Sequence, residues 1–274
     1  MRRVRYRRAL SVQNMSARQI KAKVKANARI AQGCYLLAIA APRLCTTAQP
    51  GNFVMVRVSS ETDPLLRRPL SIHRVDAAAG TVELLYEVVG KSTEILSRKK
   101  INEEIGVIGP LGNGFSHDPR AKGGPAVLVA GGMGVAPLLF LAQRLTRGAG
   151  EVLIGARTKA QVLCAPEFKK LGCAVRIATD DGSAGFHGRV TDLLDDVLNR
   201  TAAEQPVLYG CGPHPMLRAM AGVCRAYGLS AQVSLESHMA CGIGACLGCV
   251  VRTKRGFERV CKEGPVFRAD DLAW

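Results

Sequence analysis

At 274 residues, with 47% hydrophobic and 22% charged positions, the chain is long enough for two or three packed cores and too apolar for a disordered polymer. Its apolar runs, such as Ala126 to Ala130 and Val135 to Ala142, fall far short of the roughly 20 residues needed to cross a bilayer, so no membrane span is predicted. A net charge of +16 would suggest a nucleic-acid partner, but ten of the 38 Lys and Arg residues, and no acid, lie in residues 1–30, so none is expected for the body of the chain.

Residues 1–17 form a basic arm (Arg2, Arg3, Arg5, Arg7, Arg8) whose composition could serve RNA, an anionic surface or organelle targeting. The simpler reading is a disordered extension, with Met15 as an alternative start. From 18 to 120, short alternating or apolar runs are broken by Gly, Pro and Asp: Lys21–Ile30, Tyr35–Ala40, Phe53–Val58, Pro69–Val75, Val82–Val89 and Glu104–Ile108. Six strands at this spacing predict an antiparallel β-barrel, closed by a turn at Pro110-Leu-Gly-Asn-Gly114. Within it, Arg67-Arg68-Pro69-Leu70-Ser71 puts a guanidinium and a hydroxyl on one strand, and Gly90-Lys91-Ser92-Thr93 opens a helix. Both features suit a phosphate, although either alone is more often plain surface.

From 121 to 230 the period changes. Strand-like Ala126–Ala130, Val152–Ala156, Val175–Ala178 and Val207–Tyr209 alternate with helical Pro137–Arg147, Val190–Leu198 and Pro215–Tyr227, which predicts an α/β domain with a parallel sheet. Gly131, Gly132 and Gly134 make a turn between strand and helix, and Cys211, Gly212 and Pro213 make a second. One glycine turn can be merely a tight connection. Two at the carboxyl edge of one sheet point to a bound nucleotide, with Asp180-Asp181-Gly182-Ser183 placed either to meet a ribose hydroxyl or simply as a solvated acidic turn.

The tail, 231–274, is rich in Cys and Gly and too short for a large core, so a small metal-held domain is expected. Four of the ten cysteines crowd it as Cys241-x4-Cys246-x2-Cys249, with Cys261 following after eleven residues. This is the plant-type [2Fe–2S] spacing; a structural zinc site would favour paired C-x2-C units, of which there is one. With no apolar signal segment and unevenly placed cysteines, a cytoplasmic protein with metal rather than disulfides is expected. The other six cysteines (Cys34, Cys45, Cys164, Cys173, Cys211, Cys224) read as small buried hydrophobes. A nucleotide sheet and a cluster in the same chain turn the basic and hydroxyl groups of the barrel into a candidate flavin pyrophosphate site.

In order, Arg68-Pro-Leu-Ser71, Gly131–Pro137, Cys211-Gly-Pro213 and the cysteine cluster make the chain resemble the ferredoxin-reductase superfamily. More narrowly, Glu236-Ser-His-Met-Ala-Cys-Gly-Ile-Gly-Ala-Cys-Leu-Gly-Cys249 and Val260-Cys-Lys-Glu-Gly-Pro-Val-Phe267 resemble the electron-transfer subunits of type B dihydroorotate dehydrogenases, over about residues 20 to 270. The chain departs from the pattern in its basic arm and at Met133. The resemblance implies FAD in the barrel, exchangeable NAD(H) on the α/β domain and a C-terminal [2Fe–2S] cluster. It assigns Arg68, Pro69, Leu70 and Ser71 to the flavin motif, Leu85, Tyr86 and Glu87 to the next strand contact, and Ser92 and Thr93 to the pyrophosphate turn. Cys241, Cys246, Cys249 and Cys261 take the cluster.

The same resemblance implies a separate FMN-containing catalytic subunit, in a heterotetramer, that oxidises dihydroorotate to orotate for pyrimidine biosynthesis. No dihydropyrimidine site is visible, and no room remains for the roughly 250-residue barrel such chemistry usually occupies. The expected path runs between NAD(H), FAD, the cluster and the partner flavin, with Cys211 and its neighbours positioning the nicotinamide and no side chain acting as acid or base. One rival is the equivalent subunit of a ferredoxin–NADP reductase, sulfide dehydrogenase or hydrogenase. The other is a zinc-stabilised RNA-binding module.

Overall fold

The computed structural model describes residues 17–117, 124–145 and 150–274. The basic arm up to residue 16, the expected boundary at 120/121 and Arg147, the expected end of a helix, lie outside these residues. Strands β1 (Arg18–Ala31), β2 (Cys34–Ala40), β3 (Phe53–Arg57), β4 (Arg68–Asp76), β5 (Thr81–Glu87) and β6 (Glu104–Leu111) close into a barrel in the order β1-β2-β5-β4-β3-β6, every pairing antiparallel. The alternation in Lys21-Ala-Lys-Val-Lys25 shows why: Ala22 and Val24 are fully buried in the barrel and the three lysines face water.

Two short helices, α1 (Pro42–Thr47) and α2 (Lys91–Ser97), bury Leu44, Cys45 and Leu96 against the barrel core. The expected turn at Pro110 needs correction. Leu111 is buried and pairs with Phe53, which draws β6 past the proline, and the turn begins at Gly112 with φ +74°.

The second half contains β7 (Ala126–Gly131), α3 (Val135–Arg144), β8 (Gly150–Ala156), α4 (Ala165–Lys170), β9 (Ala174–Thr179), β10 (Phe186–His187), α5 (Val190–Thr201), β11 (Val207–Cys211), α6 (His214–Ala226) and β12 (Ala231–Ser234). They build a sheet in the order β10-β9-β8-β7-β11-β12, parallel throughout. All six residues of β7 are buried because helices cover both faces, α3 and α4 on one and α5 and α6 on the other. The tail adds a hairpin of β13 (Val250–Thr253) and β14 (Gly256–Arg259), then β15 (Val266–Arg268), which pairs antiparallel with β12 at the sheet edge. Residue 231 therefore falls inside the nucleotide sheet rather than at its border.

Barrel and sheet share packing. Phe140 of α3, 1% exposed, belongs to the barrel core, and α3 lies against β4. Between them His73 of β4 is buried, its Nδ1–H donating to the Ala136 carbonyl in the first turn of α3 at 3.0 Å.

Candidate functional site

Two clefts meet in the groove between the halves. The smaller, about 460 Å³, is walled by Arg68, Pro69, Leu70 and Ser71 of β4, by Leu85, Tyr86 and Glu87 of β5, and by Thr93 of α2. Its far wall comes from elsewhere in the chain: Phe53, Met133, Ala136, the segment Ser234–Met239, and Pro265. The side chains that face it are held from behind. Tyr86, fully buried, stacks on Tyr35 at 5.7 Å and donates its hydroxyl to Asn27 at 3.0 Å. Arg68 is steadied by the carbonyls of Leu66 and Arg67, and among the described residues it has no carboxylate partner, so its charge stands available to an anion.

The turn before α2 is built differently from the expectation. Thr93 Oγ1 accepts the N–H groups of Val89 at 3.0 Å and Gly90 at 3.2 Å, so this hydroxyl holds the turn. Ser92, 2% exposed, has a buried Oγ with no partner among the described residues. A buried hydroxyl without a partner is compatible with a polar ligand atom, although Ser92 itself lines neither cleft.

The larger cleft, about 970 Å³, opens over the carboxyl edge of the parallel sheet and is lined by Gly131, Gly132, Met133, Arg157, Asp180, Arg189, Pro213, Met216 and Glu236 among others. Its floor depends on two glycine turns nested into one another. A Cβ on Gly134 would strike the Cys211 carbonyl and come within 2.8 Å of Gly212 N; a Cβ on Gly212 would lie 3.0 Å from the Gly131 backbone. Gly132, at φ +53°, has nothing within 4 Å of where its Cβ would be, and that open space is where a pyrophosphate could approach the backbone.

Gly134, Cys211 and Gly212 shape the floor from below and reach neither cleft surface. Cys211, 1% exposed, is packed beneath the floor, and burial and the neighbouring Glu236 carboxylate push its thiol upward.

Three residues line both clefts: Glu87, Met133 and Glu236. They mark where a ring in one cleft would face a ring in the other. The Glu236 side chain meets solvent, yet it lies deep between the two walls, and this confinement raises its carboxyl above the ordinary range. Residue reasoning missed Phe53, Glu236, Met239 and Pro265 as cleft residues. Glu236 and Met239 stand in the cysteine-rich motif, where their neighbours drew attention instead.

The four thiols lie beside the smaller cleft and fall into two pairs, Cys241 with Cys246 and Cys249 with Cys261. Cys241 Sγ accepts N–H groups from Ile243 at 3.5 Å, Ala245 at 3.3 Å and Cys246 at 3.4 Å, and Cys249 Sγ accepts from Cys261 N at 3.4 Å. Partial burial opposes ionisation of Cys241, but these donors outweigh it and bring the thiol down to about 6. A nest of N–H groups around paired sulfurs suits thiolates that bind a diiron centre, two sulfurs to each iron.

Chain reach makes the neighbours intimate. Met239 of the smaller cleft precedes Cys241 by two residues, about 7 Å of chain at most, and Pro265, another of its walls, follows Cys261 by four, about 14 Å at most.

Comparison with known proteins agrees with this geometry. Residues 236–273 match the iron–sulfur cluster binding domain of dihydroorotate dehydrogenase B, and residues 128–222 match the oxidoreductase NAD-binding domain. The electron transfer subunit of dihydroorotate dehydrogenase B (NAD(+)) from Bacillus caldolyticus is 42% identical over 248 residues, covering 89% of this chain and 94% of that one. Its counterpart from Desulforamulus reducens is 41% identical over 261 residues, covering 92% and 97%. Among solved structures, an NADH-dependent reduced ferredoxin-NADP oxidoreductase studied for flavin-based electron bifurcation superposes with a TM-score of 0.82 at 32% identity, covering 92% and 90%. A ferredoxin NADP+ reductase from Neisseria gonorrhoeae with bound FAD and NADP shares the fold at a TM-score of 0.64 and 16% identity, over 78% of this chain and 93% of that one. The chain belongs to the family of dihydroorotate dehydrogenase B (NAD(+)) electron transfer subunits.

Proposed function

We propose that this chain carries electrons between NAD(H) and a catalytic partner subunit, through FAD in the smaller cleft and a [2Fe–2S] cluster on Cys241, Cys246, Cys249 and Cys261. The carrying observation is the arrangement itself: two clefts that share Glu87, Met133 and Glu236, with a nest of paired thiols within a few residues of the smaller one. When bound, flavin and cluster supply the conversion of a two-electron hydride into single electrons.

The chain's own residues bind and align. Arg68 and Ser71 hold the flavin, and Ser92 offers its unpaired hydroxyl toward the pyrophosphate. The nested turns at Gly131–Gly134 and Cys211–Pro213 present backbone to NAD(H). Glu87, Met133 and Glu236 frame the contact between the rings. We assign the barrel half, 18–120, to FAD, 121–230 to NAD(H) and 231–274 to the cluster, strands β12 and β15 of that last stretch being shared with the nucleotide sheet, with 1–17 as an appended basic arm. The partner is an FMN-containing subunit that oxidises dihydroorotate in the cytoplasm, the assembly being a heterotetramer. Among the described residues no helix is long and apolar enough to cross a membrane.

The test is anaerobic reduction of NAD+ by dihydroorotate with this chain alone, the partner alone and the reconstituted pair. Only the pair should turn over. Robust turnover by this chain alone would refute the division of labour. Failure of the pair with its cofactors intact would favour a different partner, and stoichiometric zinc without iron in anaerobically purified protein would overturn the cluster.

A further inference from the structure

The turn at Gly112-Asn113-Gly114 ends the barrel's last strand, and neither cleft is lined by it. It is nevertheless the most heavily bonded point between the barrel and the segment that carries Cys261. Asn113 Nδ2 donates to the Lys262 carbonyl at 3.1 Å and to the Glu263 carbonyl at 2.9 Å. The Asn113 amide donates to Gly264 O at 2.6 Å, and its carbonyl accepts from Val266 N at 3.4 Å. Gly112 lets the strands approach: at φ +74° a Cβ would meet Gly264 O at 2.9 Å and Phe53 at 3.0 Å, with Pro265 nearer still. Phe53 and Pro265 are walls of the flavin cleft.

The segment that Asn113 holds is itself a turn, residues 259–264, braced within the cluster domain. Arg259 donates Nε and Nη2 to the Glu263 carboxylate, whose Oε2 also takes the Arg259 amide at 2.8 Å, and Arg259 Nη1 reaches the Gly244 carbonyl in the three-thiol loop at 2.8 Å. A Cβ on Gly244 would lie 2.7 Å from the Lys262 stem, so the loop rests directly on the turn. Residues 244 and 259–264 are therefore tied to one another, and Asn113 bonds that piece to the barrel.

We infer that Asn113 is a positioning residue that sets the separation between the flavin cleft and the thiol nest. This rests on the reading of the two sites given above, and it adds to that reading the contact that couples them. The bonds lie at the rim, where water competes for them, so their effect falls on geometry rather than on global stability.

The experiment uses the FAD- and iron-loaded chain and the variants Asn113→Ala and Asn113→Asp, the latter keeping the shape but turning a donor into an acceptor against two carbonyls. Mixed anaerobically with NADH, the wild type should bleach at the flavin bands and then at the cluster bands. Both variants should keep the first phase and slow the second several-fold, since the rate of electron tunnelling between two centres falls steeply as their separation grows. Iron and FAD content and the cluster's reduced-state EPR spectrum should match the wild type. In the same proteins, backbone hydrogen exchange across residues 262–266 should quicken, a readout independent of turnover. An unchanged second phase together with unchanged exchange overturns the inference. A wild type with no cluster phase at all overturns the underlying reading instead. Should Asn113→Ala lose iron, Asn113→Asp decides, because it alters the contact with the least change of volume.

Discussion

The flavin-type cleft and the thiol nest sit side by side and are built on opposite principles. The cleft takes Arg68, Ser71, Tyr86 and Glu87 from hydrogen-bonded strands of a closed barrel whose interior is filled by Val24, Leu37, Ile72, Leu84 and Val107. The nest takes its first three sulfurs from residues 241–249, which contain no strand or helix. What shapes it is backbone conformation: Gly242 and Gly244 at φ +69° and +86°, Leu247 at +57°, and N–H groups turned toward sulfur. Strands position side chains by packing and can do so without a ligand. A loop of this kind depends on the ligand to repay its ordering, because it buries little apolar surface of its own.

The largest expected difference follows from that contrast. Cys246→Ser should abolish or severely alter the cluster's visible absorption and reduced-state EPR signal while leaving FAD in place, since the barrel's main core contains no residue of the tail. Gly242→Val should do much the same without touching a ligand. A Cβ there runs into Met55 of β3, and a β-branched residue resists the left-handed conformation. Iron and flavin analysis on one preparation checks both; parallel loss of flavin and iron would show that the regions fold as a unit.

The joint between barrel and sheet gives the next effect, one of pH. Burial, with a smaller push from Arg74, lowers His73 to about 4, even though its bond to the Ala136 carbonyl works the other way. Its Nε2 faces Cys164 Sγ at 4.0 Å, in an interior where an imidazolium has no carboxylate within bonding distance among the described residues. Because the folded value lies below the unfolded value of about 6.5, the contribution of neutral His73 is complete above about pH 6.5. It is lost progressively as pH falls toward 4, by roughly 3 kcal/mol in all. Denaturant titrations of the wild type and His73→Gln at pH 7 and pH 5 should show the wild type losing more. Equal losses would remove His73 as the acid-sensitive joint.

Arg68→Ala sharpens the comparison from the strand side. Losing one charge-assisted contact of roughly 1.5–3 kcal/mol should weaken FAD retention by about 10- to 150-fold and leave the cluster spectrum intact. Gel filtration followed by flavin quantitation measures it, and release of FMN rather than FAD would contradict the assignment of the cleft.

How much of this could be read from the residues alone depends on how local each feature is. The six barrel strands follow from alternation, and the cluster ligands from spacing. The helices at Pro42–Thr47 and Ala165–Lys170 escaped notice because six residues carry little periodicity; a proline in the first turn of each was the available signal. The nesting of Gly134 on Cys211, the pairing of β15 with β12, and the presence of Glu236 and Pro265 in the flavin-type cleft are contacts between distant segments. Nothing at either end of such a contact announces the other.

The smallest effect concerns the turn that leads from the barrel into α2. Thr93 Oγ1 accepts two N–H groups at the head of a seven-residue helix that could not persist alone, so its hydroxyl is worth about 1 kcal/mol as a cap. Thr93→Ala should lower Tm by roughly 2–4 °C for a protein of this size. Thr93→Ser, which keeps the oxygen, should recover most of the loss. Since Thr93 also lines the cleft, FAD binding separates the two roles: if the hydroxyl serves only the turn, the Ala variant saturated with FAD should regain the stability increment that FAD confers on the wild type. A markedly smaller increment would mean that the hydroxyl reaches the flavin as well, and that this strand-built site, like the nest beside it, leans on its cofactor for part of its shape.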